Sequence, residues 1–471
     1  MQLPLPAAIP ITIEEDETVA GIIDLDDFIT LATRYAVEPD TVVLVSGGDH
    51  DCSRYSILAR NPCCVLTSRR HLACLRTAGA VTLLPADPLA LIDQLLERFR
   101  PDHGLVAPPF CGGLVGYFAY ELKNRIERLP QTANDDLGLP DLFLMVPEEL
   151  WIHDRLERRL RRLRLKSPLS QAGPSADQGK ATAAPAPAGG RRAGRLTSNF
   201  THQQYLQAVT QVRDYIRAGD VYQVNLSQRF SLPYASDPFA LFTALFRRNP
   251  APFYAFVNAG DHQIVCTSME RFLFRSGDRI ETRPIKGTRP RGATPEEDRR
   301  LSQELTVSAK DDAELSMIVD LLRNDLGRVC RAKTIRVLEH KRLEPYQNVH
   351  HLVSVIEGRL DPRHGYAELL RATFPGGSIT GCPKIRAMEI IDQLEPQVRH
   401  VYTGSIGYLG WHQNMDLNIA IRTGIIHDGR CHFAVGGGIV YDSDPQDEYE
   451  ETLHKGRTLF ETIQRLTEPE A

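Results

Sequence analysis

Residues 259–292 read AGDHQIVCTSMERFLFRSGDRIETRPIKGTRPRG. Two turn signals, Ala259-Gly260-Asp261 and Ser276-Gly277-Asp278, mark two successive antiparallel hairpins. Pairing outward from the second turn sets Glu270 opposite Pro284 or Ile285, provided the strand runs unbroken through Met269–Phe274. Glu270 then lies close to Lys286, where an apolar strand-like run from Arg279 to Ile285 gives way to a basic turn broken by glycine and proline. A carboxylate beside an amine is either a salt bridge or an acid–nucleophile pair. A nucleophilic amine needs a pKa depressed by burial or by a cationic neighbour such as Arg283 or Arg289; a solvated loop lysine is the ordinary alternative.

These hairpins, with helices that do not alternate with strands, favour α+β over a doubly wound sheet. The expected fold is two antiparallel sheets packed as a sandwich with helices outside. Residues 1–165 form an N-terminal lobe, in which Thr41–Val45 is a buried strand ended by Ser46-Gly47-Gly48 and Leu89–Phe99 a helix. The run RLERRLRRLRLK (155–166) is better read as a solvated face than as a nucleic-acid or membrane patch. Residues 166–196, rich in Ala, Pro and Gly, form a linker or insert, and 197–466 carry the chemistry.

Composition excludes several classes. The 471 residues carry a formal net charge of −5, with no general pull towards nucleic acid, and no run is apolar enough for a membrane span. Glu14-Glu15-Asp16-Glu17 stands where a signal peptide would be basic then apolar, and the nine scattered cysteines form neither a CxxC pattern nor a disulfide framework. A reduced, cytoplasmic location is expected.

Downstream of the linker, Thr201 and Gln204 have capping-box spacing, and Tyr205, Val209, Val212 and Ile216 follow at helical spacing up to Gly219. A strand follows, with Tyr222, Val224, Leu226 and Phe230 on one face and Gln223, Asn225, Ser227 and Arg229 on the other; that polar face either meets solvent or lines a polar site. Asp311 and Glu314 share one helix face, and Glu448, Glu451 and Lys455 share another near the C-terminus. Acidic first turns suit the helix dipole, and Glu451–Lys455 suits a helical ion pair; the same carboxylates could instead converge on one divalent ion. The glycine loops around 376–381 and 436–438 are neither a Walker A loop nor GxGxxG. A small-anion site remains, with Arg422, Lys384 and Lys455 available as counter-charges.

Residues 200–465 closely resemble the chorismate-utilising enzymes. The motifs are YQVNLSQRF (222–230), SMERF (268–272), PIKGTRPRG (284–292), DDAELSMIVDLLRNDLGRV (311–329), VHHLVS (349–354), PGGSITGCPKIRAMEIID (375–392), YTGSIGYLG (402–410), IRT (421–423), GGGIV (436–440) and DEYEETLHK (447–455). The N-terminal half resembles the family more weakly, through RYSILARNP (54–62) and GYFAYEL (116–122). Lysine at 286, where the anthranilate and isochorismate branches have alanine, resembles the aminodeoxychorismate-forming branch. Glutamine at 223, where the isochorismate and salicylate enzymes have a lysine base, argues against hydroxide addition.

The resemblance implies a transaminase-class reaction of chorismate with ammonia, in para-aminobenzoate and folate biosynthesis. Lys286 attacks C2 of the ring, Glu270 is the general acid for departure of the C4 hydroxyl, and ammonia adds at C4 and expels the lysine. Mg²⁺ is implied on Glu314 and Glu451, with Asp311 and Glu448 in a water-mediated shell. Arg422, Tyr402, Gly437 and Lys455 would hold the carboxylates, with Thr380, His351 and Gln223 also at the substrate. Ammonia would come from a separate glutamine amidotransferase subunit (component II), since no nucleophile-elbow cysteine is visible. Relatives can hold tryptophan near the equivalents of Ser46 and Tyr55. Met269 departs from the family's usual proline, and the insert over 167–194 is longer than the family requires. The alternatives are an anthranilate-forming enzyme, a non-catalytic metabolite-binding relative and a nucleic-acid binder through the basic run.

Overall fold

A computed structural model describes residues 3–16, 23–101, 109–170 and 196–467. Most of the 166–196 stretch therefore lies outside the described residues. Two large sheets share one bent, hairpin-like antiparallel pair whose strands are far apart in sequence, Tyr55–Arg69 with Leu142–Asp154. The pair slips register between Pro62 and Cys64, and each side of that irregularity belongs to a different sheet.

In the first sheet, the order from one edge is Ala80–Leu84, Leu72–Thr77, the shared pair, Gly113–Phe118, Ser405–Gly410, Asn414–Asn418 and Arg271–Ser276. Arg279–Arg283 and Ile285–Pro290 follow, both laid against Val349–Arg359, with Arg336–Pro345 on the outer edge. In the second sheet, Ile9–Asp16, Arg159–Lys166, the shared pair, Thr41–Val45, Phe253–Asn258, His262–Ser268, Thr423–His427, Arg430–Ile439 and Gln223–Pro233 stand in sequence. All these neighbours are antiparallel; Phe99–Pro101 adds a short parallel strand beside Ile9. The sheets pack as a sandwich with helices outside, as expected. Strands from the two halves of the chain alternate: Thr41–Val45 pairs with Phe253–Asn258, and Gly113–Phe118 with Ser405–Gly410.

Local chemistry sets the elements where it was legible. Thr201 and Gln204 form the reciprocal capping box of helix His202–Arg217. Ser308 caps Ala309–Gly327, its hydroxyl accepting from Asp311 N at 3.2 Å. The basic run becomes the strand Arg159–Lys166, where Arg161 pairs with Glu15, Arg162 with Glu149 and Lys166 with Glu14. The pairs with Glu15 and Glu14 lie at or near the surface, as a solvated face requires. Among the described residues no two cysteines are joined in a disulfide. Among the described residues no helix is long and apolar enough to cross a membrane.

On the polar face of Gln223–Pro233, Gln223 and Ser227 are buried and Asn225 and Arg229 half-buried, whereas Tyr222, assigned to the apolar face, is exposed just before the strand begins. The strand is paired on both edges near its start, with Gly381–Cys382 on one side and the 436–438 glycines on the other.

Candidate active site

His262–Ser268 belongs to the second sheet and Arg271–Ser276 to the first, so Met269 and Glu270 are where the chain crosses between sheets. The strand is thus broken at the position on which the hairpin register depended. Arg271 still pairs with Arg283, which leaves Glu270 beside Pro284. Glu270 is buried; Ser378 Oγ donates to its Oε1 at 2.6 Å. Burial pushes its carboxyl up to about 7, although the Ser378 bond and the Lys286 ammonium pull the other way.

Lys286 projects from the first sheet to the glycine-lined strand of the second. A methyl group on Gly438 would lie 3.3 Å from Lys286 Nζ and 2.4 Å from Gln223 Nε2. Both side chains need the space that glycine leaves. Burial lowers the Lys286 pKa and Lys455 lowers it further, while Glu314, Glu270 and Glu451 oppose. The cationic neighbour is therefore Lys455. Arg283 is held by Glu281 and Asp51, and Arg289 by Asp311, so neither fills the part expected of it.

Two acidic helix faces close on the cleft. A methyl group on Gly437 would sit 3.0 Å from Glu448 Oε2, 3.6 Å from Glu451 Oε1 and 3.7 Å from Lys455 Nζ; one on Gly287 would sit 3.0 Å from Asp311 Oδ1. Burial raises the Glu314 carboxyl, with Asp311 and Glu451 adding to the rise, and burial together with Glu451 raises Glu448. Glu451 forms the helical ion pair with Lys455, which brings it below its usual range despite burial. Among the described residues no three acidic, His or Cys side chains form a ready-made metal cage. The donors are all hard carboxylate oxygens that repel one another, as suits an oxygen-seeking divalent ion that takes one or two protein carboxylates.

The remaining positions surround this cleft. Lys455 Nζ donates to Gly436 O at 2.9 Å, and Arg422 donates to the Lys455 carbonyl. Tyr402 and Thr380 are buried, the phenol pushed up to about 12 by burial. Burial also lowers His351 to about 4, leaving a neutral ring whose Nδ1 faces Thr288 Oγ1 and Gly287 O, each at 3.1 Å, and whose Nε2 has no partner among the described residues. Lys384 is not an anion counter-charge. Its Nζ pairs with buried Asp325 at 2.6 Å and donates to Thr373 O and Pro375 O, each at 2.9 Å. It fastens the helix bearing Glu314 to the loop bearing Ser378 and Thr380.

A second buried pair escaped sequence reasoning. Arg399 Nε and Nη2 donate to Glu395 at 2.8 and 2.6 Å, Nη1 to Ile379 O at 3.0 Å, and Nη2 to Asn225 O at 2.7 Å. Ser227 N and Oγ donate to the same carboxylate at 2.8 and 2.9 Å. The pair thus locks the 223–233 strand to the 377–379 turn. The only sequence sign was the polar strand face; Ser378, the partner of Glu270, gave none beyond its glycine-rich setting.

Ser46 and Tyr55 stand elsewhere, on the wall of a cavity of about 450 Å³ that also exposes Arg54, Arg271, Glu281 and Asp416. None of the residues assigned to the substrate lines it.

The model of the family described as chorismate binding enzyme matches residues 62–461. The chain belongs to the chorismate-binding enzymes. It is 41% identical over 433 residues to "Aminodeoxychorismate synthase component 1" of Klebsiella aerogenes, covering 91% of this chain and 94% of the relative. It is 43% identical over 396 residues to "Anthranilate synthase component 1" of Thermus thermophilus, covering 80% and 83%. The solved anthranilate synthase component I of Streptococcus pneumoniae superposes with a TM-score of 0.74 at 32% identity, covering 88% of this chain and 95% of that one. A chorismate-binding enzyme at comparable identity to two differently named relatives has to be distinguished by its site, where position 286 is a lysine.

Proposed function

We propose that this protein is an aminodeoxychorismate synthase component 1, converting chorismate and ammonia to 4-amino-4-deoxychorismate for para-aminobenzoate and folate biosynthesis. The observation that carries the reading is a lysine of depressed pKa, Lys286, within electrostatic reach of a buried carboxyl, Glu270, poised near neutrality. The names of relatives at about 40% identity agree. Neutral Lys286 uses its lone pair to bond C2, the two conjugated ring double bonds shift, and the C4–O bond breaks with the proton of Glu270 going to the departing hydroxyl. Ammonia then bonds C4, the C2–Nζ bond breaks, and the surplus proton ends on the lysine amine. Two displacements replace one, and C4 exchanges oxygen for nitrogen.

Arg422 and Lys455 supply positive charge for the two substrate carboxylates, and buried Tyr402 and neutral His351 supply uncharged hydrogen-bonding groups. Glu314 and Glu451 would hold Mg²⁺, with Asp311 and Glu448 around it, and the ion would supply charge neutralisation at a substrate carboxylate. Glu314→Gln relieves a repulsive cluster. It is expected to melt no lower than the parent without metal, to lose the Mg²⁺-induced rise in Tm, and to lose at least about 10²-fold in rate. An Mg²⁺-induced shift as large as the parent's counts against the site.

Ammonia is proposed to come from a glutamine amidotransferase subunit, in keeping with the "component 1" in the relatives' names. Tryptophan is the proposed occupant of the 450 Å³ cavity beside Ser46 and Tyr55, where aromatic and charged groups share one wall. Calorimetric titration is expected to give one site that Ser46→Trp fills and abolishes; unchanged binding in that variant rules the cavity out.

The 43% identical relative named as an anthranilate synthase favours a second reading, anthranilate formation. Chorismate, Mg²⁺ and an ammonium salt decide between them. The mass of aminodeoxychorismate as main product supports the first, and anthranilate fluorescence as main product replaces it.

A further inference from the structure

Two buried side-chain atoms on the polar face of strand Gln223–Pro233 lack partners among the described residues: Gln223 Nε2 and Asn225 Oδ1. They are two residues apart, and side chains at that spacing point to the same side of a strand. Gln223 Nε2 and Lys286 Nζ both approach the space above Gly438. Asn225 Oδ1 approaches the space above Gly436, where a methyl group would lie 3.1 Å from it. The backbone beneath is clamped: Asn225 N donates to Thr380 O at 2.7 Å, and Asn225 O accepts from Arg399 Nη2 at 2.7 Å. A rigidly held, buried acceptor without a donor is costly unless a ligand supplies one.

We propose that Asn225 Oδ1 is the acceptor that orients ammonia for attack, an assignment that rests on an ammonia-consuming reaction at this site. The chemistry narrows the ligand. Substrate carboxylates and ether oxygens are themselves acceptors and are repelled by an amide oxygen, and the C4 hydroxyl, the substrate's donor, has left before ammonia attacks; Arg422 and Lys455 already offer the carboxylates positive charge. Ammonia presents three N–H donors and must keep its lone pair free to form the bond to carbon. An amide oxygen takes one N–H without supplying a proton. A carboxylate in its place would favour ammonium, whose lone pair is already used. In the displacement the lone pair becomes the N–C bond, the C2–Nζ electrons return to Lys286, and one proton passes from the new ammonium to that amine. Asn225 holds the nucleophile throughout and exchanges no proton.

The test uses the full chain with ammonium chloride, so no partner subunit is needed. Asn225→Leu, similar in shape but without an acceptor, is expected to raise the KM for ammonium at least about tenfold and leave the KM for chorismate within twofold. Asn225→Asp keeps an acceptor but is expected to move the ammonia-dependent rate profile to higher pH, since its charge retains ammonium. An unchanged ammonium KM in Asn225→Leu, or a rise confined to chorismate, overturns the assignment. Should Asn225→Leu fail to fold by circular dichroism, Asn225→Asp decides, and an unshifted pH profile then overturns it. Anthranilate as the wild-type product would sink the product reading alone, because that reaction also consumes ammonia and the ammonium KM still measures Asn225.

Discussion

Lys286→Ala is expected to lower the rate of aminated product from chorismate by at least about 10²-fold, with chorismate binding retained. The lysine is the proposed nucleophile. It crosses from one sheet to the glycine-lined strand of the other, and burial with Lys455 favours its neutral form. Removing Nζ leaves Arg422, Lys455 and the carboxylate cluster in place, so the effect falls on kcat. Lys286→Arg is expected to be equally impaired, because guanidinium keeps its proton and offers no nucleophilic lone pair. Product mass spectrometry under turnover, and the mass of intact wild-type protein incubated with chorismate alone, check this. Full activity of Lys286→Ala with the physiological ammonia source would remove the covalent route from the mechanism.

Glu270→Gln is expected to lower kcat by about 10²–10⁴-fold, since the amide cannot give a proton to the departing hydroxyl. Its pH dependence is the sharper measurement. As the proposed general acid Glu270 acts when protonated, and its pKa is about 7, so wild-type kcat is expected to fall about tenfold per unit above that value, while the need for a neutral Lys286 sets the acid limb. The variant is expected to lose the alkaline limb.

Stability follows the same proton. The carboxyl holds its proton more tightly in the folded protein, at about 7 against an ordinary 4.5, so this group's contribution is complete below about 4.5 and is lost as pH rises through 7. Glu270→Gln, neutral throughout, is therefore expected to gain up to about 3 kcal/mol relative to wild type between pH 5 and pH 8. Urea titrations at the two pH values read the difference. A variant that loses stability relative to wild type as pH rises would show that Glu270 is ionised in the folded state well below 7.

Much of the architecture was legible locally. The Ala259-Gly260-Asp261 and Ser276-Gly277-Asp278 turns lie in the connections of two antiparallel pairs, and the Thr201–Gln204 box opens its helix. Turn chemistry and capping act within four residues and need no tertiary context. What local pattern could not show was that the chain changes sheets at Met269–Glu270. Alternation of side chains reads the same whether a strand continues or hands over to another sheet.

The charged groups divide similarly. The sequence offered Arg283 and Arg289 as partners for Lys286 because they are near in the chain, yet the fold commits them to Glu281, Asp51 and Asp311. Lys384 was equally plausible as an anion ligand and proved to be a buried tie to Asp325. Electrostatic partnership depends on distance and dielectric, and both are set by packing between distant segments.

The sequence by itself determined the two-sheet α+β class, the segments that carry the chemistry and lysine as the residue at position 286. Composition, short-range turn chemistry and motif identity are properties of the chain. The tertiary structure alone decided that Glu270 is buried under Ser378 and poised near 7, that Lys455 is the cation which helps lower Lys286, and that Asn225 holds out an acceptor with no partner among the described residues. Burial and proximity across two sheets arise only when strands far apart in sequence close on one another, and those two quantities set a pKa and leave a hydrogen bond unmade.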